Sequence, residues 1–401
     1  MIGAPKGEAV HQRQIAKSIA QRLGEPRAFM QIIMGPRQTG KTTAARQAVT
    51  ASGLEGRYAS ADGIAVPPAA WLESEWHQAR LLTRGGAAAV LVLDEIQKVT
   101  GWSEVVKRLW DEDSWNEIPL HVILSGSSAL LLQQGLSESL AGRYEVLRST
   151  HWSYAEMRDA FGYSLDDYLL FGGYPGAARL VGDEERWADY MRDSIVEATL
   201  SRDVLQMEAV RKPALLRGLF LLGAQYSGQE MSYRKVLGQL DDGGNTATVA
   251  HYLELLDNAG LLSGLKKYDV KPLRTNASSP RFMVHDSSLV AATWQGARDE
   301  LLGDSAVRGH LVESAVGAYL LACSHIGRFD VRWWREAGAE VDFVLSKGSA
   351  LVAIEVKSGR VKSTGGLVEF ISRYPQATPI LVGDANVSVE SFLAGEVPLF
   401  E

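Results

Sequence analysis

Cysteine is almost missing from this chain. Cys323 is the only one in 401 residues, which excludes an intramolecular disulfide and any cysteine-cluster zinc site and makes a reducing cytoplasm the expected location. Long apolar runs are absent too: none reaches the roughly 18 residues that a membrane-spanning helix needs. The opening residues, Met1 to Ala20, mix Lys6, Arg13 and Lys17 with Glu8 and lack the apolar stretch of a signal peptide. Positive charge is in short supply, with 41 Lys and Arg against 48 Asp and Glu and a net charge of −7. That balance argues against coating nucleic acid by bulk charge and leaves only local basic patches for such contact. No internal repeat or low-complexity tract is visible. What remains is 46% hydrophobic and 22% charged, the composition of a globular chain too long for one core.

The most informative stretch is Gly35-Pro36-Arg37-Gln38-Thr39-Gly40-Lys41-Thr42-Thr43, a full G-x-x-x-x-G-K-[ST] match preceded by the apolar run Phe29 to Met34. A strand, a glycine loop and a helix start in that order form a phosphate cradle, in which backbone N–H groups and the helix dipole face the anion. Lys41 is expected to reach the β and γ phosphates, and the Thr42 hydroxyl to face Mg²⁺. Downstream, Ala88 to Leu93 reads as an apolar strand ending in Asp94 and Glu95. Asp94 would hold the magnesium ion and Glu95 would polarise the attacking water, although an acid at a helix start is also favoured by the dipole alone. Leu120 to Leu124 is a further strand, and Ser125 at its tip is a candidate for sensing the γ phosphate; a plain Ser-Gly turn is the competing reading. Arg143 could neutralise charge on that phosphate, in its own subunit or a neighbour's, or form a surface ion pair. The alternation of strands and helices predicts a parallel sheet covered on both faces.

Gly35 to Thr43, Leu93-Asp94-Glu95, Ser125-Gly126-Ser127-Ser128 and Leu140-Ala141-Gly142-Arg143 together resemble the AAA-type ATP-binding proteins of bacteria and archaea that carry a carboxy-terminal domain of unknown function. The likeness continues in Phe171-Gly172-Gly173-Tyr174-Pro175, in Leu200-Ser201-Arg202-Asp203-Val204 and in Phe282-Met283-Val284-His285-Asp286. One departure is Ser288, where the pattern would place a glycine before Leu289. The resemblance implies an AAA-like ATPase with links to DNA. Arg202 is a second candidate for a sensor or inter-subunit arginine, with a solvated helix face as the alternative.

Residues 152–207 read as helical, with 166–171 and 184–204 the clearest segments. Beyond Pro213, helices are expected over 215–226, over 232–240 and from the cap at Asn245-Thr246 to Asn258, followed by an extended segment at 261–268. Three helices and a ribbon are the order of a winged helix. Positive charge gathers just after them, at Lys266, Lys267, Lys271, Arg274 and Arg281, as a basic arm suited to phosphate contacts or as a solvated loop on a packing module.

From about Val307 a new unit begins, with a helix over 311–322 containing Glu313 and strands at 331–335, 340–345 and 350–357. Asp342, then Glu355 and Lys357 on one strand face, resemble the core of PD-(D/E)XK nucleases, with Val341 in place of the proline. Glu313, Asp342 and Glu355 are the expected magnesium ligands, and Lys357 their partner in making hydroxide; an ordinary Glu355–Lys357 ion pair in an inactive relic is the alternative.

The expected fold is α/β: an AAA-like P-loop sheet over residues 1–150, a helical lid at 151–212, a winged-helix-like part at 213–290 and a small nuclease-like α/β domain at 300–401. The expected function is ATP hydrolysis coupled to DNA binding, remodelling, translocation or cleavage, with ATP and Mg²⁺ as cofactors and with DNA and copies of the chain, up to a hexameric ring, as partners. The competing functions are a nucleotide-dependent signalling or defence switch, and a carboxy-terminal domain that serves only oligomerisation.

Overall fold

In the computed structural model, residues 11–64, 68–126, 139–205, 210–240, 244–270, 278–296, 299–357, 364–383 and 386–400 are described. Contacts between Cα atoms divide the chain into two compact units, Met1–Thr150 and His151–Glu401. The chain is α/β in both.

The first unit holds helix α1 (Gln14–Leu23), strand β1 (Met30–Met34), α2 (Lys41–Ser52), β2 (Glu55–Ser60), α3 (Pro68–Leu82), β3 (Ala89–Asp94), α4 (Trp102–Trp115), β4 (Leu120–Ser125) and β5 (Tyr144–Arg148). The five strands are all parallel, in the order β2-β3-β4-β1-β5. Parallel strands covered on both faces need apolar residues at every position, and β1, β3 and β4 are buried throughout. The two-residue period then sorts the side chains. Ile32, Leu91, Leu93 and Leu124 join Trp76, Trp102 and Trp110 on one face, whereas Ile33, Val90, Val92 and Ile123 meet α1 and the alanines of α2 on the other. Strand β5 escapes the sequence reading because Tyr144 to Leu147 are only half-buried and Arg148 is exposed at the sheet edge.

The second unit begins with α5 (Tyr154–Phe161) and α6 (Leu165–Phe171), each opened by a serine capping box. After α7 (Glu184–Asp189) the helix widens to π geometry at Tyr190–Glu197 and again at Thr199–Val204. Helices α8 (Pro213–Gln225), α9 (Tyr233–Gln239) and α10 (Thr246–Asn258) follow, the last capped by the Asn245 side chain accepting from Thr248 N–H at 2.8 Å. They lead into an antiparallel ribbon of β6 (Leu262–Leu265) and β7 (Arg281–Val284). After α11 (Ser288–Thr293) and α12 (Asp299–Gly303), the long α13 (Ser305–Gly327) precedes a second sheet. There β8 (Asp330–Glu336), β9 (Ala339–Lys347) and β10 (Ala350–Lys357) are antiparallel, α14 (Gly365–Arg373) crosses over, and β11 (Ala377–Gly383) returns parallel to β10. The short α15 (Val389–Leu393) closes the order.

Gly172 and Gly173 show why that pair belongs where it is. Gly172 has φ +64°, and a Cβ on it would lie 1.8 Å from the Asp286 carboxylate; a Cβ on Gly173 would lie 2.2 Å from the Trp152 carbonyl. Gly173 N–H donates to Asp286 Oδ2 at 2.8 Å. Ser288, the departure noted in the sequence, is fully buried and donates its N–H to Asp286 Oδ1 at 3.0 Å as well as its hydroxyl. A glycine there would supply only the first of these bonds. Burial pushes the Asp286 carboxyl up to about 6, against the pull of the hydrogen bonds from Ser288 and Gly173 and of nearby His285.

Candidate functional site

The P-loop connects β1 to α2 at the carboxyl edge of the first sheet, where ligands bind in open α/β folds. Gln38 and Gly40 adopt the left-handed conformation, with φ +60° and +83°, and Gly40 caps α2 so that Lys41 and Thr42 fall in its first turn. Pro36 and Arg37 are half-buried, Gln38 and Thr43 exposed. Gly35 has no room for a side chain: a Cβ would lie 1.9 Å from the Ser149 carbonyl at the end of β5. Lys41 Nζ donates to the Gly35 and Pro36 carbonyls at 2.9 and 2.5 Å. Two residues that sequence reading missed brace the loop. Buried Arg13 donates through one nitrogen to the Thr39 carbonyl at 2.9 Å and to Ser149 Oγ at 3.2 Å.

Asp94 is the hub of the site. Thr42 Oγ1 donates to its Oδ2 at 2.7 Å and Ser125 Oγ to its Oδ1 at 2.6 Å. The Tyr58 hydroxyl donates to Oδ2 as well. Register explains the convergence. Leu93 lies opposite Leu124 and Ser60 opposite Asp94, so Ser125 reaches Asp94 from the next strand end, and Tyr58, two residues before Ser60, shares its face. Burial works to raise the Asp94 carboxyl, but the bonds from Ser125, Tyr58 and Thr42 and from Glu95 N–H together hold it below its ordinary value. Burial and the Asp94 bond push the Tyr58 phenol well up, so it remains a donor. The Arg46 guanidinium lies 4.3 Å over its ring. Glu95 takes a left-handed backbone, φ +54°, a conformation costly for a residue with a Cβ. Its carboxylate accepts from Gln97 Nε2 at 2.7 Å and lies 3.7 Å from Lys98 Nζ.

The Thr42 hydroxyl and a deprotonated Asp94 carboxylate in mutual contact fit a magnesium nucleotide, because both are hard oxygen donors facing one point beside the phosphate loop. Arg143 does not share the site. It precedes β5, and its carbonyl accepts from Met30 N–H at the amino edge of the sheet, a full strand length from the P-loop, where it pairs with Asp111 at 2.7 Å. A role at its own subunit's phosphate is therefore excluded by topology. Arg202 lies exposed on the second π-helical segment of the other unit.

The expected basic arm is changed more. Lys266 is exposed, but Lys267 and Tyr268 are tied to β8, with Tyr268 N–H donating to the Trp333 carbonyl at 2.6 Å and Trp333 N–H to that of Lys266 at 3.2 Å. Lys271 and Arg274 lie outside the described residues. Arg281 is no part of an arm: only 2% exposed, it is among the largest buried side chains.

The carboxy-terminal acids meet around that arginine. Arg281 Nη1 lies 3.2 Å from Glu313 Oε1 on α13 and 3.5 Å from Asp342 Oδ1 on β9, and Nη2 pairs with Glu340. Asp342 Oδ2 accepts from Val356 N–H at 2.8 Å. Glu355 Oε1 pairs with Lys357 Nζ at 2.8 Å, while Oε2 is buried without a partner. Burial and neighbouring Asp342 push the Glu313 carboxyl above its ordinary range, against Arg281 and Lys357. Burial lowers the Lys357 ammonium, but Glu355 beside it more than offsets this and leaves it raised. Among the described residues no three His, Cys, Asp or Glu side chains are arranged to hold a metal ion. The expected magnesium set of Glu313, Asp342 and Glu355 does not fit its metal here, because a guanidinium stands among the carboxylates where the cation would go.

Residues 28–158 match the family model described as AAA domain, 162–300 a domain of unknown function (DUF8612) and 308–396 another (DUF4143). Most of the first unit is thus similar to an AAA domain. An uncharacterised protein of Haemophilus influenzae is 25% identical over 284 residues, 66% of this chain and 64% of that protein. An uncharacterised protein of Mycobacterium tuberculosis is 27% identical over 283 residues, 70% and 59% of the two chains, so this chain spans less than two thirds of these relatives. Among solved structures it is similar to the RuvB Holliday junction branch migration motor of Thermotoga maritima (18% identity, 64% of this chain, 90% of that one, TM-score 0.35). The Orc1 protein of Aeropyrum pernix in complex with DNA is also similar (16%, 72%, 94%, TM-score 0.32). At these scores neither likeness carries an argument. Among the described residues no helix is long and apolar enough to cross a membrane.

Proposed function

We propose that this chain hydrolyses ATP in its first unit and couples turnover to DNA through its second. The observation that carries the ATPase reading is the contact of Thr42 and Ser125 with opposite oxygens of Asp94, directly beside the P-loop. Lys41 and the loop N–H groups hold the phosphates, and Thr42 and Asp94 hold the magnesium ion. Bound there, that ion neutralises charge developing on the phosphates. Glu95, released from Gln97 and Lys98, orients the water and accepts its proton, and Ser125 fixes the position of Asp94. Arg202, or Arg143 from a neighbouring copy, completes the site in a homo-oligomer. DNA contact is supported by the order of three helices and a ribbon, α8 to β7, and by exposed Lys266 with Lys267 at its side, continued in sequence by Lys271 and Arg274.

Steady-state ATP hydrolysis in Mg²⁺, alone and with single-stranded, duplex and branched DNA of matched length, tests this reading. Stimulation by one form is expected. Hydrolysis indifferent to every form would instead favour a nucleotide-dependent switch, the reading that the Arg281-filled carboxylate cluster supports, since such a second unit would be arranged by ATP rather than cut DNA.

A further inference from the structure

Arg13 stands just ahead of α1 and before residues 28–158, the part of the chain that matches the AAA domain. It is nevertheless only 5% exposed, and its side chain reaches 26 positions forward into the phosphate loop. The backbone that carries it is held in place. Gln47 of α2 donates to the His11 carbonyl, two residues earlier, at 3.1 Å, and Ala16, Ile19 and Leu23 of α1 share one buried cluster with Ala44, Ala45 and Ala48 of α2. A charged side chain is costly to bury unless its donors find acceptors. One Nη of Arg13 finds two, the Thr39 carbonyl at 2.9 Å and Ser149 Oγ at 3.2 Å.

Those acceptors tie both ends of the loop to β5. Ser149 N–H donates to the Met34 carbonyl at 2.7 Å, where β1 ends. Ser149 Oγ lies 3.3 Å from Thr39 Oγ1, which donates to the Pro36 carbonyl at 3.0 Å, and Thr39 is fully buried. In a trans peptide the carbonyl and the next N–H point in opposite directions, so a guanidinium that holds the Thr39 carbonyl aims the Gly40 N–H away from Arg13. Gly40 caps α2 with φ +83°, a position whose N–H has no partner inside the helix and which a P-loop offers to phosphate. The same contact sets a permanent positive charge behind the loop.

We infer that Arg13 is a positioning residue of the phosphate site: it fixes the Thr39–Gly40 peptide so that the Gly40 N–H faces a bound nucleoside diphosphate or triphosphate. This rests on the reading of the P-loop as an ATP site and adds to it a residue from outside the loop. Because the loop grips the same phosphates before and during hydrolysis, Arg13 governs affinity and leaves the chemical step alone.

Titration calorimetry of the full chain with ADP in Mg²⁺, joined to steady-state hydrolysis of ATP, tests it. Arg13→Met should weaken ADP binding by at least about tenfold, the worth of a charge-assisted hydrogen bond. Stoichiometry should not change, and kcat should stay within about twofold of wild type. Arg13→Lys, which keeps the charge and gives up the planar fork, should lose less affinity and serves if Arg13→Met does not fold. A folded variant of either kind that binds ADP as tightly as wild type would overturn the inference. So would fewer binding sites or a lower kcat with the affinity of the remaining sites unchanged, which is the signature of a merely structural arginine. Wild type that bound no ADP would bring down the P-loop reading, and the inference with it.

Discussion

Asp94 and Asp342 are both strand aspartates set among polar partners, and the partners separate their fates. Around Asp94 every close donor is neutral: the hydroxyls of Thr42, Ser125 and Tyr58 and the Glu95 N–H. Hydroxyls rotate, so they can turn to a metal-bound water and leave the carboxylate its negative charge. Around Asp342 one oxygen accepts from the Val356 N–H, and the other faces a guanidinium fixed between three acids. Two sites that each centre on a strand aspartate therefore differ in what they can accept, because one is finished with dipoles and the other with a permanent charge.

Breaking the charged site should have the largest effect. Arg281→Ala leaves buried carboxylates uncompensated and should cost about 3–5 kcal/mol of stability, read by denaturant unfolding of the second unit. Lys41→Ala should lower ATP hydrolysis by about 10²–10³ by removing a charge aimed at the phosphates, with unfolding midpoints unchanged. Glu95→Gln should keep nucleotide affinity and slow hydrolysis by about 10²; an equal loss of affinity, measured by calorimetry, would count against its place in the reaction.

A third buried aspartate sharpens the comparison through pH. Asp286 titrates at about 6 in the folded chain, above its ordinary value. The native state thus holds a proton that the unfolded state has lost between about pH 4 and pH 6. Stability from this residue is greatest at the acid end and falls as pH rises through that window. Asp286→Asn should remove a slope worth about 2–3 kcal/mol across it, measured by thermal unfolding at a series of pH values. Asp94, whose carboxyl is held low, contributes with the opposite sign. The smallest effect belongs to Tyr58→Phe, which removes one of four donors to Asp94 and should weaken magnesium-nucleotide binding by about 1 kcal/mol.

The legible parts of the site were those written contiguously. The P-loop, the Asp94-Glu95 strand end and Ser125 announce themselves through local order, because strand ends and loops follow from runs of residues. Arg13 and Tyr58 do not, since their contacts depend on which strands are neighbours and in what register. Arg281 misleads for a related reason. In sequence it follows Lys266, Lys267, Lys271 and Arg274, so it reads as one more exposed charge, yet β7 is buried throughout. Only its pairing against β6 and the approach of α13 turn it inward. Arg143 failed as an own-subunit residue on topology alone, since parallel strands send its neighbours to the far edge of the sheet.

The bond from Gly173 to Asp286 closes a loop of 113 residues, and the one from the Tyr154 hydroxyl to Glu390 closes a loop of 236. Each partner buried in the first is worthless without the other, so shortening the chain from its end does not yield smaller, self-sufficient pieces of the second unit. A truncation before Glu390 strips the Tyr154 hydroxyl of its acceptor, and one before Asp286 leaves the Gly173 N–H facing an empty socket. Residues 151–401 should accordingly melt, and resist proteases, as one cooperative body.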